Sequence, residues 1–119
     1  MANVLIVDDM RTDRELLGKV VSQAGHTPVY ATDGDEVPAR FAETSPQLVF
    51  LDVVMPRTNG YAACRALKQS PASKNVPVVL VTSKSAESDR FWAQRQGADD
   101  VVGKPFTSDA ILAVLKRYL

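Results

Sequence analysis

The chain has 119 residues, of which 45% are hydrophobic and 24% charged, a composition typical of one soluble globular domain with a buried core. Basic and acidic residues number 14 each, so the formal net charge is zero, whereas proteins that bind nucleic-acid backbones normally carry a basic excess. No apolar run reaches the roughly 18–20 residues of a membrane span. Nucleic-acid binding and membrane insertion are therefore not expected.

The N-terminus and the cysteine content favour a cytoplasmic location. Residues 1–4 lack the basic and apolar regions of a secretory signal. Cys64 is the only cysteine, so it cannot form an internal disulfide, and it suits a reducing compartment. We expect Cys64 to be a small core residue on an inward helical face. The only histidine, His26, is expected on the surface.

The first part of the chain predicts a strand, a helix and a second strand. Val4–Val7 is a short apolar run typical of a buried strand. Thr12–Glu15 has the spacing of a capping box, so the first helix is expected to begin there and to stop at Gly25. Pro28–Ala31 predicts a short second strand. The residues expected on the inward face of the first helix are Leu16, Leu17, Val20, Val21 and Ala24.

A second helix and a central strand follow. Asp33–Glu36 is expected to cap the second helix, and Pro38, about one turn inside it, is expected to bend or weaken it. Leu48–Leu51 is a continuous apolar run with turn signals on both sides, which predicts a strand buried on both faces. This strand ends at Asp52. The inward residues of the second helix are predicted to be Val37, Phe41 and Ala42.

The second half of the chain repeats this alternation. Asn59-Gly60 opens a third helix, and Val76–Val81 predicts a fourth strand that closes on Thr82. The third helix is expected to turn Ala63, Cys64 and Leu67 inward.

The last part predicts a helix, a strand and a final helix. The fourth helix is expected to run from Ser85 to Gly97, and Val101-Val102 predicts the fifth strand. Thr107–Asp109 caps the last helix. The apolar stripe of that helix is predicted to comprise Ile111, Leu112, Val114, Leu115 and Leu119.

Five predicted strands alternate with five predicted helices. This pattern indicates an α/β fold, a doubly wound five-stranded parallel sheet with helices on both faces and right-handed crossovers. We expect residues 1–119 to form one domain, without room for an output domain.

Polar residues stand at the carboxyl ends of four of the five apolar runs. They are Asp8 and Asp9, Asp52, Thr82, and Lys104. Ligands of doubly wound sheets bind at the carboxyl ends of the strands, so these side chains are expected to converge. Three converging carboxylates repel one another, and Mg²⁺, which prefers oxygen ligands, would relieve that repulsion. Three carboxylates, one Mg²⁺ and the Lys104 ammonium sum to zero charge.

This inventory suits phosphoryl transfer to a carboxylate. Aspartate is a competent phosphoryl-accepting nucleophile, and the reaction needs positioning and charge neutralisation more than covalent help. Asp52 is the expected acceptor. Lys104 would bind a phosphoryl oxygen as a point charge, and the Thr82 hydroxyl could hydrogen-bond another.

The sequence resembles CheY-like response-regulator receiver domains, whose fold is flavodoxin-like, from Val4 to Tyr118. The matching motifs occur in one order and comprise Val7-Asp8-Asp9, Leu51-Asp52 with Met55-Pro56 and Gly60, Val81-Thr82-Ser83, Gly97-Ala98 and Lys104-Pro105-Phe106. The resemblance implies that Asp52 receives a phosphoryl group from a phosphohistidine of a sensor histidine kinase or a phosphotransfer protein. It also implies a cis peptide bond before Pro105.

The resemblance further implies the roles of the other site residues. Asp9, Asp52 and the backbone carbonyl of Val54 would bind Mg²⁺, with Mn²⁺ as a substitute ion, and Asp8 would assist through water. Thr82 would move toward the phosphoryl group, and Lys104 would bridge to it. The family often carries an aromatic residue where this chain has Val101, so a smaller shift of Thr82 or of the fourth helix is expected to carry the signal.

The expected function is that of a stand-alone response regulator that promotes its own phosphorylation and dephosphorylation without being an enzyme for an external substrate. The face made by the fourth helix, the fifth strand and the fifth helix is expected to bind an unidentified downstream protein. We expect Trp92 to be partly buried there and not to lie fully on the surface. Residues 92–98 resemble regulators of type IV pilus twitching, which favours a chemotaxis-like or pilus pathway.

Three other functions are compatible with parts of the pattern. A degenerate receiver would act only as a scaffold, although all five expected site residues are present. A Mg²⁺-dependent phosphatase would place a second carboxylate two residues after Asp9, where this chain has Arg11. A nucleotide or flavin enzyme would have a phosphate-binding loop after the first strand instead of Asp8-Asp9.

Ordinary structural roles also compete for single residues. Asp8 and Asp9 could be an acidic helix start, Thr82 an N-cap, and Lys104 a solvated loop residue.

Overall fold

The computed structural model describes residues 1–119 and has the predicted five-stranded parallel sheet. The strands are β1 (Asn3–Val7), β2 (Thr27–Ala31), β3 (Leu48–Leu51), β4 (Val78–Thr82) and β5 (Asp100–Gly103). The helices are α1 (Arg11–Gln23), α2 (Val37–Thr44), α3 (Gly60–Gln69), α4 (Glu87–Arg95) and α5 (Ser108–Tyr118), and a 3₁₀ turn (Gly34–Glu36) precedes α2. The strand order is β2-β1-β3-β4-β5, so the order reverses between β1 and β3.

Alternate residues of the central strands build two separate cores. Leu5, Val49 and Leu80 face one side of the sheet, where they pack with inward residues of α2, α3 and α4. Ile6 and Phe50 face the other side, where they pack with α1 and α5. Because successive side chains of a strand point to opposite faces, a strand covered on both sides has to be apolar throughout. This explains why the continuous apolar runs became β1, β3 and β4.

The start of α1 differs from the predicted capping box. The helix begins at Arg11 with Met10 as its N-cap residue and has no side-chain cap, so Thr12 lies inside the first turn. The Asp8 carboxylate accepts a hydrogen bond from the Met10 N–H at 2.9 Å, which satisfies a backbone donor at that end from outside the helix. The prediction that Thr12 caps α1 was therefore wrong.

The apolar faces of α1 and α5, the two helices on one side of the sheet, are narrower than predicted. In α1, Leu16 is 51% exposed and Ala24 is exposed as well, while Leu17 and Val21 are buried. In α5, Leu112 is likewise partly exposed, and so is Leu119 after the helix end. The sheet covers less than half of each helix, so residues at the edge of a helical stripe remain in contact with solvent.

Pro38 does not distort its helix. The 3₁₀ turn places Val37 at the start of α2, so Pro38 lies in the first turn, where helix N–H groups have no partner within the helix. Asp33 caps the preceding turn by accepting a hydrogen bond from the Asp35 N–H. The expected bend was wrong because the helix starts later than the sequence pattern suggested.

Two other boundaries also shift. Strand β4 begins at Val78, because the Val76 N–H is used in a turn to the Ser73 carbonyl. Helix α4 begins at Glu87, two residues after the predicted Ser85. None of the five helices has the length and apolar character that crossing a membrane would require.

Gly60 is predicted to be essential for the fold, because it packs against the backbone of the segment that carries Asp52. A β-carbon at Gly60 would overlap the Asp52 carbonyl, and backbone cannot move aside cheaply. We expect Gly60→Ala to lower the free energy of unfolding by about 3 kcal/mol. Chemical denaturation of the metal-free protein measures this change.

The matched control is Gly18→Ala in α1. A β-carbon there would meet only the ring and hydroxyl of the partly exposed Tyr30 side chain, which can swing away. Alanine is also the better helix former, so the expected change is within about 1 kcal/mol. If the two variants lose equal free energies of unfolding, the close contact between Gly60 and the Asp52 backbone is not the cause of the loss.

Candidate functional site at the carboxyl edge of the sheet

The three predicted carboxylates meet at one edge of the sheet. Asp8 follows β1 and Asp52 follows β3, and the pairing of Val7 with Leu51 places these strand ends side by side. The Asp52 N–H donates to the Val7 carbonyl at 2.9 Å, which fixes the two chains just before the carboxylates. Oxygen atoms of Asp8, Asp9 and Asp52 lie within 4.8 Å of one another. The parallel register therefore brings together acidic groups from separate parts of the sequence.

Burial distinguishes these carboxylates. Asp8 and Asp52 are buried, whereas Asp9 is exposed. One Asp52 oxygen accepts a hydrogen bond from the Val53 N–H at 2.8 Å. Burial, and after it the negative charge of Asp8, raises the pKa of Asp52 to about 6, although Lys104 acts in the opposite direction. In the metal-free protein, ionising Asp52 is thus unfavourable, and a cation would relieve the cost.

Lys104 reaches the same cluster from β5. Gly103 pairs with Thr82 of β4, so the residue after it stands at the same edge. The Lys104 Nζ lies 2.8 Å from an Asp8 oxygen, 3.0 Å from an Asp13 oxygen and 3.7 Å from an Asp52 oxygen. Burial opposes the ammonium charge, but the hydrogen bonds to Asp8 and Asp13 outweigh it and raise the pKa of Lys104. The peptide bond before Pro105 is cis, as expected.

Thr82 ends β4 at this edge and is fully buried. Its hydroxyl oxygen accepts a hydrogen bond from the Lys84 N–H at 3.1 Å, so the hydroxyl is engaged by its own loop. This bond closes a turn within the loop and does not cap a helix, because α4 begins at Glu87 with Ala86 as its N-cap residue and has no side-chain cap. The alternative role of Thr82 as an N-cap was therefore wrong. Val54 lies in the loop just after Asp52, and its side chain is 57% exposed.

Asp33 fixes the loop that follows Asp52. Its carboxylate accepts hydrogen bonds from the N–H groups of Arg57 and Thr58, both at 2.9 Å, and from Asp35 at 3.2 Å. Burial opposes ionisation of this group, but the backbone hydrogen bonds outweigh it and hold the pKa of Asp33 at about 2. The sequence pattern predicts only a capping role for Asp33, because its contact with residues 57 and 58 depends on the tertiary fold.

Asp13 and Arg14 are site residues that the sequence analysis missed. Asp13 contacts Lys104, and the Arg14 Nη1 donates to the Asp8 carbonyl at 2.9 Å. Asp13 lies in the first turn of α1, whereas Asp9 precedes the helix, so no helical spacing relates the two carboxylates. No local pattern in the sequence reveals that Lys104 reaches the first turn of α1.

A cluster of aromatic and basic side chains lies on α4, beside the site. Trp92 is half exposed and packs edge-on against Tyr61, with ring centroids 6.4 Å apart, whereas Phe91 is 62% exposed with the Arg95 guanidinium 5.8 Å from its ring. The Arg90 guanidinium donates to the carbonyls of Ser85 and Val101, each at 3.0 Å. The partial burial expected for Trp92 agrees with this packing.

Cys64 was expected in the core and His26 on the surface, and only the first expectation agrees with the structure. Cys64 is buried in the core, where burial raises the pKa of its thiol to about 11. His26 is only half-buried, and its Nδ1 accepts a hydrogen bond from the Ala2 N–H at 3.1 Å. His26 therefore anchors the N-terminus and is not a free surface residue.

Comparison with known proteins agrees with this geometry. Residues 4–116 match the family model described as the response regulator receiver domain. Protein PilH of Pseudomonas aeruginosa is 35% identical over all of this chain and 98% of its own length, and protein PilG of the same organism is 31% identical over 98% and 86%. The chain belongs to the response regulator receiver family.

Solved structures support the fold assignment. The chemotaxis protein CheY4 of Vibrio cholerae superposes with a TM-score of 0.93 at 28% identity, covering 100% of this chain and 99% of that one. A putative response regulator from Chloroflexus aurantiacus also gives a TM-score of 0.93, at 29% identity, covering 98% of this chain and 96% of that one. The flavodoxin-like, CheY-like architecture predicted from the sequence is confirmed.

Replacing Asp52 is expected to stabilise the metal-free protein at neutral pH. The folded-state pKa of about 6 lies above the ordinary value of 3.8, so folding favours the protonated form. The cost of the ionised group is therefore fully present above pH 6 and disappears below about pH 4. Asp52→Asn should raise the free energy of unfolding by about 1–3 kcal/mol at pH 8 and by almost nothing at pH 4.

Urea denaturation in the presence of a chelator, at both pH values, measures this difference. Asp109→Asn is the control, because Asp109 is an exposed carboxylate in the first turn of α5. A gain for Asp52→Asn that is equal at pH 4 and pH 8 would show that burial of the charge is not the cause.

Proposed function

We propose that this protein is a stand-alone response regulator in which Mg²⁺-dependent transfer of a phosphoryl group to Asp52 switches a protein-binding surface. The donor is a phosphohistidine on a sensor histidine kinase or a phosphotransfer protein. One observation carries the proposal, namely that Asp8, Asp9 and Asp52 converge beside Lys104 at the strand ends. We take residues 1–119 as one receiver domain that acts in the cytoplasm.

The donor set fits a hard divalent cation. All side-chain donors of the cluster are carboxylate oxygens, and exposed Asp9 leaves the cluster open to solvent. Mg²⁺ prefers such ligands and retains several waters, and Mn²⁺ can substitute for it. Asp9, Asp52 and the Val54 carbonyl would hold the ion directly, and Asp8 through water. When bound, the ion would neutralise the carboxylates and the incoming phosphoryl oxygens.

The chain's own residues would then perform the transfer. An Asp52 oxygen attacks phosphorus, an acyl phosphate O–P bond forms, and the P–N bond to the histidine breaks, with the electron pair leaving on the imidazole. Lys104 binds a phosphoryl oxygen, for which it has to loosen its present ion pairs. Because Asp52 is modified in each event and only hydrolysis restores it, the protein is a switch and not an enzyme acting on an external substrate.

The loop between β4 and α4 would transmit the change. Thr82 exchanges its hydrogen bond to Lys84 for one to the phosphoryl group, which moves the loop. Val101 stands at the usual aromatic place, so this movement or a shift of α4 has to carry the signal. The output surface is the face formed by α4, β5 and α5, where Phe91 is largely exposed.

The pathway proposal is based on similarity. CheY4 of Vibrio cholerae is a chemotaxis protein, and residues 92–98 resemble regulators of pilus twitching. We therefore propose a chemotaxis-like or type IV pilus pathway, with a downstream protein as the target of the switched face.

The decisive experiment is incubation with Mg²⁺ and a small acyl phosphate, followed by intact mass spectrometry. We expect the wild-type protein to gain one phosphoryl group, and we expect no gain for Asp52→Asn or in the presence of a chelator. An unchanged mass under all conditions would favour a scaffold. Steady hydrolysis of an external phosphate ester would favour a phosphatase.

Mg²⁺ is expected to stabilise the folded protein, because its ligands are assembled only in the fold. An ion present at tenfold its Kd adds about 1.4 kcal/mol to the free energy of unfolding, or several degrees in Tm. Asp9→Ala should abolish this gain, and it should raise the stability of the metal-free protein because Asp9 repels Asp52. Thermal unfolding with and without millimolar Mg²⁺ measures both effects.

Asp109→Ala, which removes an exposed carboxylate outside the cluster, is the control and should retain the full Mg²⁺ response. If thermal unfolding of the wild-type protein is indifferent to Mg²⁺, the metal assignment is wrong. Normal phosphorylation of Asp9→Ala would remove Asp9 from the ligand set.

A further inference from the structure

The first turn of α1 brings a fourth carboxylate to the site. An oxygen of Asp13 lies 3.0 Å from the Lys104 Nζ, the same atom that lies 2.8 Å from Asp8 and 3.7 Å from Asp52. The Asp13 side chain is 32% exposed, whereas those of Lys104 and Asp8 are 15% and 7% exposed. Asp13 is therefore the most exposed of the three carboxylates that contact Lys104.

The position of Asp13 is fixed by its helix. The Asp8 carboxylate binds the Met10 N–H, and Arg14 binds the Asp8 carbonyl, so the first turn of α1 is tied to the end of β1. The Asp13 side chain has no hydrogen bond or ion pair other than that with Lys104. An acidic residue in a first helical turn is also favoured by the helix dipole. The carboxylate is thus available to Lys104 alone.

This arrangement matters because Lys104 stands nearer to Asp8 and Asp13 than to the proposed phosphoacceptor. A phosphoryl group on Asp52 would need the Lys104 ammonium. The phosphoryl group would have to share this ammonium with Asp13 or draw it away from Asp13. The local charge changes as well. Arg14, which binds the Asp8 carbonyl, offsets one negative charge of the site as a whole, but Asp13 places a negative charge 3.0 Å from the ammonium that would bind the phosphoryl oxygens, and it opposes that binding.

We propose that Asp13 is a positioning residue that competes with the phosphoryl group for Lys104 and thereby weakens the hold of the site on that group. This inference rests on the proposed function, because it assigns Asp13 a role in the same site. Asp13 sets the strength of the switch, while Asp52 remains the acceptor.

Binding of fluoroberyllate, a tetrahedral analogue of the phosphoryl group, tests the proposal by isothermal titration calorimetry at saturating Mg²⁺. We expect Asp13→Asn to bind it about three- to fivefold more tightly than the wild-type protein, the range of a partly exposed ion pair. Asp13→Glu keeps the charge and can reach Lys104, so its affinity should stay close to that of the wild type. Thermal unfolding of each variant confirms that the fold is intact.

Glu15→Gln is the matched control. Glu15 also lies near the start of α1 and loses the same charge, but it pairs with Arg11 and not with Lys104. Its fluoroberyllate affinity should equal that of the wild type. An equal gain in Glu15→Gln would show a general charge effect and overturn the role of Asp13.

The outcomes separate the two proposals. If fluoroberyllate binds the wild-type protein and Asp13→Asn equally, the competition is refuted and the proposed function stands. If Asp13→Asn binds more weakly, Asp13 supports Lys104 in its phosphoryl-binding position, and the inference is reversed. If none of the proteins binds fluoroberyllate in the presence of Mg²⁺, the proposed function itself fails, and with it the inference.

Discussion

The site depends on like charges held close together at the edge of a rigid sheet. Asp8 and Asp52 are both buried, and a group of this kind is costly to ionise without a compensating charge. Lys104 compensates in part, because it contacts both carboxylates. The fold can tolerate the remaining repulsion because β1 and β3 are locked by apolar packing on both faces. The apolar packing thus offsets the charge repulsion, and the negative potential stays concentrated where the proposed phosphoryl transfer would take place.

The hydrogen-bonded loop after Asp52 keeps the carboxylates, and with them the negative potential, in one place. Asp33 binds the backbone of Arg57 and Thr58, and the N–H of Gly60 donates to the Val53 carbonyl at 2.8 Å. The chain that leaves Asp52 is therefore held at two places within one short loop. A carboxylate on a loose loop would move away from its neighbours and relieve the repulsion, and the potential would be lost.

The sequence was most informative where one physical requirement dominates. A strand buried on both faces has to be apolar throughout, so β1, β3 and β4 were predictable, and with them the strand ends that carry Asp8, Asp52 and Thr82. Local patterns were less reliable. The capping box at Thr12 failed because Asp8, outside the helix, binds a backbone donor at its start. The contact of Asp13 with Lys104 joins distant parts of the chain, and no local pattern contains it.

The hydrogen bonds around Val101 offer a connection between the candidate site and α4 that does not need an aromatic residue at position 101. Arg90 of α4 binds the carbonyl of Ser85, in the loop after Thr82, and also the carbonyl of Val101 in β5. One guanidinium therefore joins the loop, the helix and the strand. In the proposed switch, a displacement of the loop toward a phosphoryl group would strain or break the bond to Ser85, while the bond to Val101 would hold α4 to the sheet. In our proposal, the surroundings of the exposed Phe91, which is next to Arg90 in the sequence, would change although Val101 has no ring that could move inward.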